Sequence, residues 1–197
     1  MRAPHPVSHR IGWAVGLAAA VVLSSMTVSL PARAQGQSCH DFAWDVHQER
    51  ALFSGPAHSV QGGTTAAATP TVRPDRLYTV QLAPQPQVKY VTAPGKVMLA
   101  DGAYGGMVKF RVPRSGSYRV SLDAPFWIDV VADGQQLGTE DFGGQHGCAN
   151  PRKIVVFHMP AGQQLWLQIS GARRAQVQFT VTRAPATQAA AQAPAAH

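Results

Sequence analysis

The sequence is short of acidic residues, with 10 Asp and Glu against 17 Lys and Arg among its 197 residues. Three of the arginines (Arg2, Arg10 and Arg33) lie in the first 34 residues, so the remaining 14 basic and 10 acidic residues leave a net charge of +4. This surplus is too small to indicate nucleic acid as a partner. The length predicts a single domain once the ends are set aside.

Long apolar runs are absent after the first 34 residues, so no membrane span is expected in the rest of the chain. The N-terminal segment begins with the basic "MRAPHPVSHR", continues with the apolar "IGWAVGLAAAVVLSSMTVSL" and ends with Ala32 and Ala34 in an Ala-x-Ala pattern. This order predicts a secretory signal peptide over residues 1–34, with an uncleaved anchor as the alternative. We therefore expect a periplasmic or secreted protein.

Cysteine is also scarce, and Cys39 and Cys148 are the whole set. In an oxidising compartment such a pair predicts one disulfide, which would close a loop of 108 intervening residues. His40 and His146 lie beside the cysteines, so the disulfide would bring the two histidines close together. The alternative is a reduced pair that forms a soft copper or zinc site with the histidines. Neither spacing is a known ligand motif, which favours the structural clamp.

Motifs for nucleophilic catalysis are missing. The sequence has no G-x-S-x-G elbow, and no two histidines after the signal segment stand two or four residues apart. His47, His58 and His158 are therefore interpreted as surface or satisfied core residues. A pair of acids for glycoside cleavage needs only proximity in space, so this alternative stays open.

Three segments differ from the rest of the mature chain. Residues 42–53 have apolar side chains near one face after Asp41, a suitable cap, and predict a short helix. Residues 59–76 are poor in large side chains and predict a flexible loop or a loosely held strand. Residues 184–197 contain mainly Ala, Pro and Gln, which predicts a disordered tail.

From Leu77 onward the apolar residues recur with a period of two. Val108, Phe110 and Val112 alternate with basic residues in "MVKFRV". Further runs follow between turn signals: "SYRVSL", "FWIDVVADG", "KIVVFHM", "LWLQI" and "VQFTV". This spacing, with no long helical pattern between the runs, predicts an all-β fold over residues 35–183, an antiparallel β-sandwich or jelly roll with one short N-terminal helix.

Three of these stretches carry a likeness to a known family: "GSYRVSL" at Gly116–Leu122, "FHMPAGQQLWLQISG" at Phe157–Gly171 and the last strand "QVQFTV". Together they resemble the bacterial pre-peptidase C-terminal domain, a small jelly-roll-like sandwich attached to secreted enzymes. The resemblance covers roughly Tyr104 to Thr182 and implies the fold more than an activity. A cysteine pair is not usual in that family.

Three motifs also make the mature chain similar to a group of short exported proteobacterial proteins. They are "C…WD…E…LF" from Cys39 to Phe53, "G-x-Y-x-V-x-L-x-x-x-x-W-I-D-V-V" from Gly116 to Val131, and "G-C-…-R-K" from Gly147 to Lys153. Some members carry the name homogentisate dioxygenase, which would imply a non-haem iron enzyme. Homogentisate dioxygenases bind ferrous iron through two histidines and a glutamate, and this chain, less than half their size, has no matching motif.

One basic pattern predicts a binding surface. The stretch "GGMVKFRVPRSGSYRVSLD" is interpreted as a β-hairpin whose outward face carries Lys109, Arg111 and Arg119, with Arg114 at its tip. Adjacent strands would gather these charges into a basic strip that could meet anionic lipid, polysaccharide or an acidic protein. The alternative is a solvated edge that discourages strand pairing.

Trp127 and Asp129 share one face of a predicted strand. If that face is buried, Asp129 needs a partner, for which Lys or Arg is the expected choice. If the face is open, the two side chains could form a contact of the kind that binds sugars. The buried interpretation is favoured because isolated Trp and Asp residues in strands usually serve packing or the surface.

The sequence thus predicts an exported, non-catalytic accessory or binding module of the cell envelope. Its partner would be a glycan, an anionic surface or an envelope protein, and no cofactor is expected. The alternatives are a metal-dependent enzyme, by the dioxygenase label, and a periplasmic metal-handling protein that uses His40 and His146. Iron, copper or zinc would be the metals under these alternatives.

Overall fold

The computed structural model describes residues 42–96, 102–145 and 150–185, so the predicted signal peptide over residues 1–34 lies outside the described residues. The helix and strands, in chain order, are α1 (His47–Phe53), β1 (His58–Gln61), β2 (Tyr78–Gln81), β3 (Ala83–Pro84), β4 (Tyr104–Phe110), β5 (Gly116–Leu122), β6 (Trp127–Ala132), β7 (Gln135–Gln136), β8 (Thr139–Gly144), β9 (Lys153–Met159), β10 (Leu165–Ala172) and β11 (Gln176–Arg183). A 3₁₀ turn, Gln85–Gln87, follows β3.

The strands form two sheets that pack face to face. The six-stranded sheet has the order β1-β2-β11-β5-β9-β8, and the five-stranded sheet has the order β3-β4-β10-β6-β7. Neighbouring strands are antiparallel except for β1 and β2, which run parallel. The predicted all-β sandwich is confirmed.

The alternating apolar residues meet between the sheets, as the period of two predicts. Val108 and Phe110 of β4 face Val120 and Leu122 of β5 and Phe179 of β11 in one core, and all five side chains are almost fully buried. Burial of a large apolar side chain contributes roughly 1.5–3 kcal/mol relative to its exposed state. These positions therefore fix which face of each strand is inward.

The Asp-Gly turn predicted after the strand "FWIDVVADG" is present between β6 and β7. Asp133 and Gly134 have φ angles of 48° and 74°, and Ala132 pairs with Gln135 across the turn. Two-residue hairpin turns with positive φ at both positions match the twist of the flanking strands. The hairpin sets the end of the five-stranded sheet.

The N-terminal helix is shorter than predicted and begins at His47 rather than Phe42. Asp41, the expected cap, lies outside the described residues, and the Asp45 carboxylate instead accepts a hydrogen bond of 2.9 Å from the His47 amide. Phe42 and Trp44 pack against Ile154 of β9, on the outer face of the six-stranded sheet. Residues 42–46 thus pack on the sheet as an irregular segment ahead of the helix.

The predicted hairpin between β4 and β5 is wrong, since β4 belongs to the five-stranded sheet and β5 to the six-stranded sheet. The "PRSG" turn carries the chain from one sheet to the other, and the Tyr118 hydroxyl fastens it with a 2.9 Å hydrogen bond to the Arg114 carbonyl. Lys109 and Arg119 consequently lie on opposite outer faces of the sandwich. Alternation defines the face of a strand but does not define its neighbour.

The segment predicted as a flexible loop, residues 59–76, starts inside β1 and then follows the edge of β4. Gly63 pairs with Met107 and Thr71 pairs with Lys109 through isolated backbone bridges. The segment therefore covers a strand edge that would otherwise be open, which is a common way to protect a sheet.

The C-terminal segment continues β11 for one further contact, because the Ala184 amide donates a 2.9 Å hydrogen bond to the Ser117 carbonyl. The remainder of the predicted tail, residues 186–197, lies outside the described residues. Within the described part of the chain, no helix has the length and apolar character needed to cross a membrane.

Candidate ligand-binding groove

Two cavities of about 680 and 440 Å³ open between β8, at the edge of the six-stranded sheet, and β6, near the edge of the five-stranded sheet. Both walls include Trp127, Phe142 and Lys153, so the cavities are two parts of one groove. Each volume lies within the range of roughly 300–1,000 Å³ that small-molecule sites occupy.

The two cavities differ in charge. The larger, named here the acidic cavity, has three carboxylates and a single cation in its wall: Asp129, Glu140, Asp141 and Lys153. The smaller, named the basic cavity, has three cations and no carboxylate among its described lining residues: Lys96, Arg152 and Lys153. The sign of the charge therefore changes along the groove, close to Trp127.

The Asp129 carboxylate has hydrogen-bond partners that the sequence did not predict. The residue is 7% exposed, and its carboxylate accepts hydrogen bonds of 3.0 Å from Trp127 Nε1 and 3.1 Å from the Gly95 amide. These hydrogen bonds come from an indole and a backbone amide, while the expected Lys partner, Lys153, interacts with Asp129 through its charge. The carboxylate fixes the Trp127 ring, and it is itself committed to these two donors.

The Trp127 ring supports two lysine side chains. Lys96 Nζ lies 5.7 Å and Lys153 Nζ lies 5.5 Å from the centre of the ring. Ammonium groups are attracted to the negative face of an indole at such distances. Trp127 therefore brings two positive charges to the boundary between the cavities.

Lys153 is the first residue of β9, and its side chain is hydrogen-bonded to a backbone carbonyl. Its Nζ donates a 3.0 Å hydrogen bond to the Phe126 carbonyl. Burial lowers the pKa of Lys153, nearby Lys96 lowers that pKa further, and Asp129 partly opposes the shift. The two lysines therefore repel each other in a partly desolvated site.

Lys96 is positioned by a segment that we call the strap, residues 88–96, which crosses the outer face of the five-stranded sheet. The Tyr90 hydroxyl donates a 2.8 Å hydrogen bond to the Ile169 carbonyl. The Gln168 side-chain amide forms two hydrogen bonds, of 3.1 and 2.9 Å, with the backbone of Thr92. Burial raises the pKa of Tyr90, and Asp129 raises it further.

Phe142 is the functional candidate that the sequence analysis missed. It lies in β8, is 72% exposed, and is the one large hydrophobic side chain so exposed among the described residues. Its ring lines both cavities. The signal was a lone aromatic residue in the polar, glycine-containing run "TEDFGG", which lacks the alternation that marks the other long strands.

Arg119 does not belong to a surface strip. It is 2% exposed, forms a 3.3 Å ion pair with Glu49, and its Nη1 donates a 2.7 Å hydrogen bond to the Asp45 carbonyl. Its guanidinium also lies 5.4 Å from the centre of the Trp44 ring. Arg119 is on the outer face, as predicted, but α1 and the residues before it cover that face.

The other basic candidates lie away from the groove. Lys109 is half-buried, with its Nζ 5.7 Å from the centre of the Trp166 ring, while Arg111 and Arg114 are exposed beyond the end of β4. None of the three lines either cavity of the groove. The predicted basic strip is therefore not assembled, and the charges near the groove come from other segments.

The cysteine and histidine candidates, Cys39, Cys148, His40 and His146, lie outside the described residues. Among the described residues, no group of three or more His, Cys, Asp and Glu side chains is arranged to hold a metal ion. The disulfide and the alternative metal site stay predictions.

In comparisons with known proteins, no family model and no curated protein matches this chain. The resemblance to the pre-peptidase C-terminal domain therefore stays a prediction beyond the sandwich fold itself. Chemically, the groove offers an aromatic surface, positive charge at one end and acceptors at the other. That combination suits reversible binding of a polar ligand that also has an apolar face.

Proposed function

We propose that this protein is an exported, non-catalytic binding module of the cell envelope that holds a glycan in the groove beside Phe142. The observation that carries the proposal is the exposure of this phenyl ring at the junction of two cavities. An exposed aromatic ring is unfavourable in water, and the C–H face of a sugar ring is a suitable cover for it.

The polar groups around Phe142 support a glycan rather than a purely apolar ligand. Thr139, Glu140 and Gln136 line the acidic cavity and offer acceptors and donors for sugar hydroxyls. A buried hydroxyl without such partners would be costly. The mixture of one aromatic surface and several polar side chains is the usual composition of a specific small-molecule site.

The groove replaces the basic hairpin as the proposed recognition surface. Its walls come from several parts of the sandwich, and two of its three cations, Lys96 and Lys153, lie within 6 Å of the centre of one indole ring. Arg119, one of the residues of the predicted strip, is occupied by contacts within the protein. The proposal keeps the predicted class of function and changes the residues that carry it.

The test is titration of the full mature chain with soluble polysaccharides, both neutral (laminarin and glucomannan) and acidic (alginate and hyaluronan). We expect at least one to bind, and Phe142→Ala to weaken that binding by about tenfold or more, because burial of a Phe ring contributes roughly 1.5–3 kcal/mol. The matched control is Trp166→Ala, a half-buried aromatic that lines neither cavity.

The expected control result is an unchanged affinity. No binding of any polysaccharide, or equal binding by wild type and Phe142→Ala, would overturn the proposal. Retention of a protein from envelope extracts with no polysaccharide binding would count against the glycan and assign the groove to a protein partner.

A further inference from the structure

We infer that the glycan is acidic, and that a carboxylate of one sugar lies in the basic cavity between Lys96, Lys153 and Arg152. This inference rests on the proposed function and specifies its ligand. It also orients the glycan along the groove, with the acidic sugar in the basic cavity and an uncharged sugar in the acidic cavity.

The first argument is that the positive charges of the basic cavity are only partly balanced by the protein. The described lining of the basic cavity brings together three cations and no carboxylate. Of these, Lys153 is partly buried, and its pKa is lowered by burial and by Lys96, which the nearby Asp129 offsets only in part. Positive groups that are crowded and partly desolvated are unfavourable alone, and an anion placed among them relieves the repulsion.

The second argument is the number of free donors. Each ammonium group has three N–H donors, and Lys153 uses one of them on the Phe126 carbonyl. Arg152 also lines this cavity, and a guanidinium carries five N–H donors. A guanidinium and a carboxylate match in geometry, and hydrogen bonds between charged partners are stronger than those between neutral groups.

The third argument concerns the acidic cavity. Asp129, Glu140 and Asp141 would repel a second carboxylate placed there, and Lys153 is the single cation in its wall. Because the cavities share Trp127, Phe142 and Lys153, a glycan that crosses Phe142 would place adjacent sugars in opposite fields. The groove therefore favours a chain in which an acidic sugar alternates with an uncharged one over a chain of uronates alone.

The experiment is calorimetric titration of the full mature chain with four oligosaccharides of equal length. They are a hyaluronan oligosaccharide, which alternates uronate and N-acetylhexosamine, its carboxyl-reduced derivative, an oligogalacturonate and a chito-oligosaccharide. We expect the hyaluronan oligosaccharide to bind most tightly, and carboxyl reduction to weaken binding by roughly tenfold, since hydrogen bonds to a charged group are lost. A fifth ligand, a sulfated carboxyl-reduced oligosaccharide, distinguishes carboxylate from sulfate.

The variants are Lys96→Ser and Lys153→Met, with Lys109→Ser as the matched control because Lys109 also lies over an indole ring but outside the groove. We expect each groove variant to weaken binding of the acidic oligosaccharide by roughly tenfold and to weaken binding of its carboxyl-reduced form by a clearly smaller factor. Lys109→Ser should change neither. Lys96 is exposed at the end of the strap, so its removal keeps the test valid if Lys153→Met does not fold.

The outcomes separate the two proposals. If the acidic and carboxyl-reduced forms bind equally and the lysine variants have no effect, while Phe142→Ala still weakens binding, the carboxylate site is wrong and the glycan groove stands. If the oligogalacturonate binds more tightly than the hyaluronan oligosaccharide, the preference for alternating acidic and uncharged sugars is wrong. If the sulfated ligand binds more tightly than the hyaluronan oligosaccharide, the preference for a carboxylate is wrong. Absence of binding to all five ligands would overturn the inference, and the polysaccharide panel then decides whether the groove binds glycans at all.

Discussion

Arg119 shows at the scale of one residue how burial decides the role of a charge. Its guanidinium is paired with the Glu49 carboxylate, which is 1% exposed and also accepts a 2.6 Å hydrogen bond from Thr182 Oγ1. The three side chains come from β5, α1 and β11, so the cluster fastens the helix to the six-stranded sheet. A buried charge of this kind is tolerated because every partner is in place.

Glu49→Ala should therefore destabilise the protein strongly. The change leaves the Arg119 guanidinium buried without its carboxylate, and loss of one partner of a buried pair costs about 3–5 kcal/mol. Urea unfolding measures the loss in the free energy of unfolding. His47→Ala, an exposed substitution in the same helix, should change that free energy by less than about 0.5 kcal/mol.

The paired replacement makes the test more specific. Glu49→Leu with Arg119→Met removes both charges, and we expect it to recover most of the stability lost in Glu49→Ala. A loss of less than about 1 kcal/mol in Glu49→Ala would show that the pair is not buried as described.

At the scale of elements, the strap is the part of the fold on which the groove depends. It has no regular strand pairing along residues 88–96, and side chains of the sheet hold it instead. The hydrogen bond from the Tyr90 hydroxyl of the strap to the Ile169 carbonyl requires a glycine at position 105 of β4. A Cβ on Gly105 would lie 2.9 Å from that carbonyl oxygen and even closer to the Tyr90 hydroxyl. The absence of a side chain at Gly105 makes room for Tyr90.

Gly105→Ala should displace Tyr90 and loosen the strap. We expect a loss of about 1–3 kcal/mol in the free energy of unfolding, from overpacking and the broken Tyr90 hydrogen bond. Hydrogen exchange of the Thr92 and Gly95 amides, which donate to side chains of the sheet, should become faster. Gly138→Ala is the control because a Cβ there meets nothing within 4 Å.

If exchange at Thr92 and Gly95 stays as slow in Gly105→Ala as in wild type, the strap is not held through Tyr90. Weaker glycan binding in the same variant would then need another cause. Because Lys96 ends the strap, we expect binding of an acidic ligand to fall together with the protection of these amides.

The strands that the sequence predicted are those in which apolar residues alternate with polar ones, because this alternation follows burial. Strands such as β5, β9 and β11 alternate because one face meets the core. β8 escaped notice because it is an edge strand with mostly exposed or half-buried residues, so no apolar period marks it. The pairing of β4 with β10 instead of β5 could not be predicted from local pattern, since partners in a sheet are chosen by the whole sandwich.

Local sequence pattern also could not show which residues meet in the groove. Trp127 and Asp129 stood out because they adjoin in one strand, although their mutual hydrogen bond was not foreseen. Lys96, Phe142 and Lys153 come from the strap, β8 and β9, and only the folded chain brings them to one indole ring or one cavity wall. A site assembled from separate segments has no sequence spacing to reveal it.

At the scale of the whole molecule, the chain just after Cys39 meets the chain just before Cys148. A Cβ on Gly143 would lie 3.1 Å from a ring carbon of Phe42 and 3.3 Å from the ring of Trp44. Cys39 is three residues from Phe42, and Cys148 is three residues from Gln145, which bonds to Arg152 across the β8–β9 pair. Three extended residues span at most about 10 Å. Each cysteine is therefore within that reach of one of two chain segments that contact each other.

We therefore expect the protein to contain a Cys39–Cys148 disulfide that stabilises the attachment of the N-terminal segment to the sandwich. Closure of a loop of 108 residues contributes roughly 4–5 kcal/mol in the chain-entropy model. Urea unfolding with and without dithiothreitol should show a decrease of that order on reduction. The Cys39→Ser, Cys148→Ser double variant should match the reduced protein and be insensitive to the reagent. Two titratable thiols in the unfolded, unreduced protein would contradict the disulfide, and with it the close approach of His40 and His146 that depends on it.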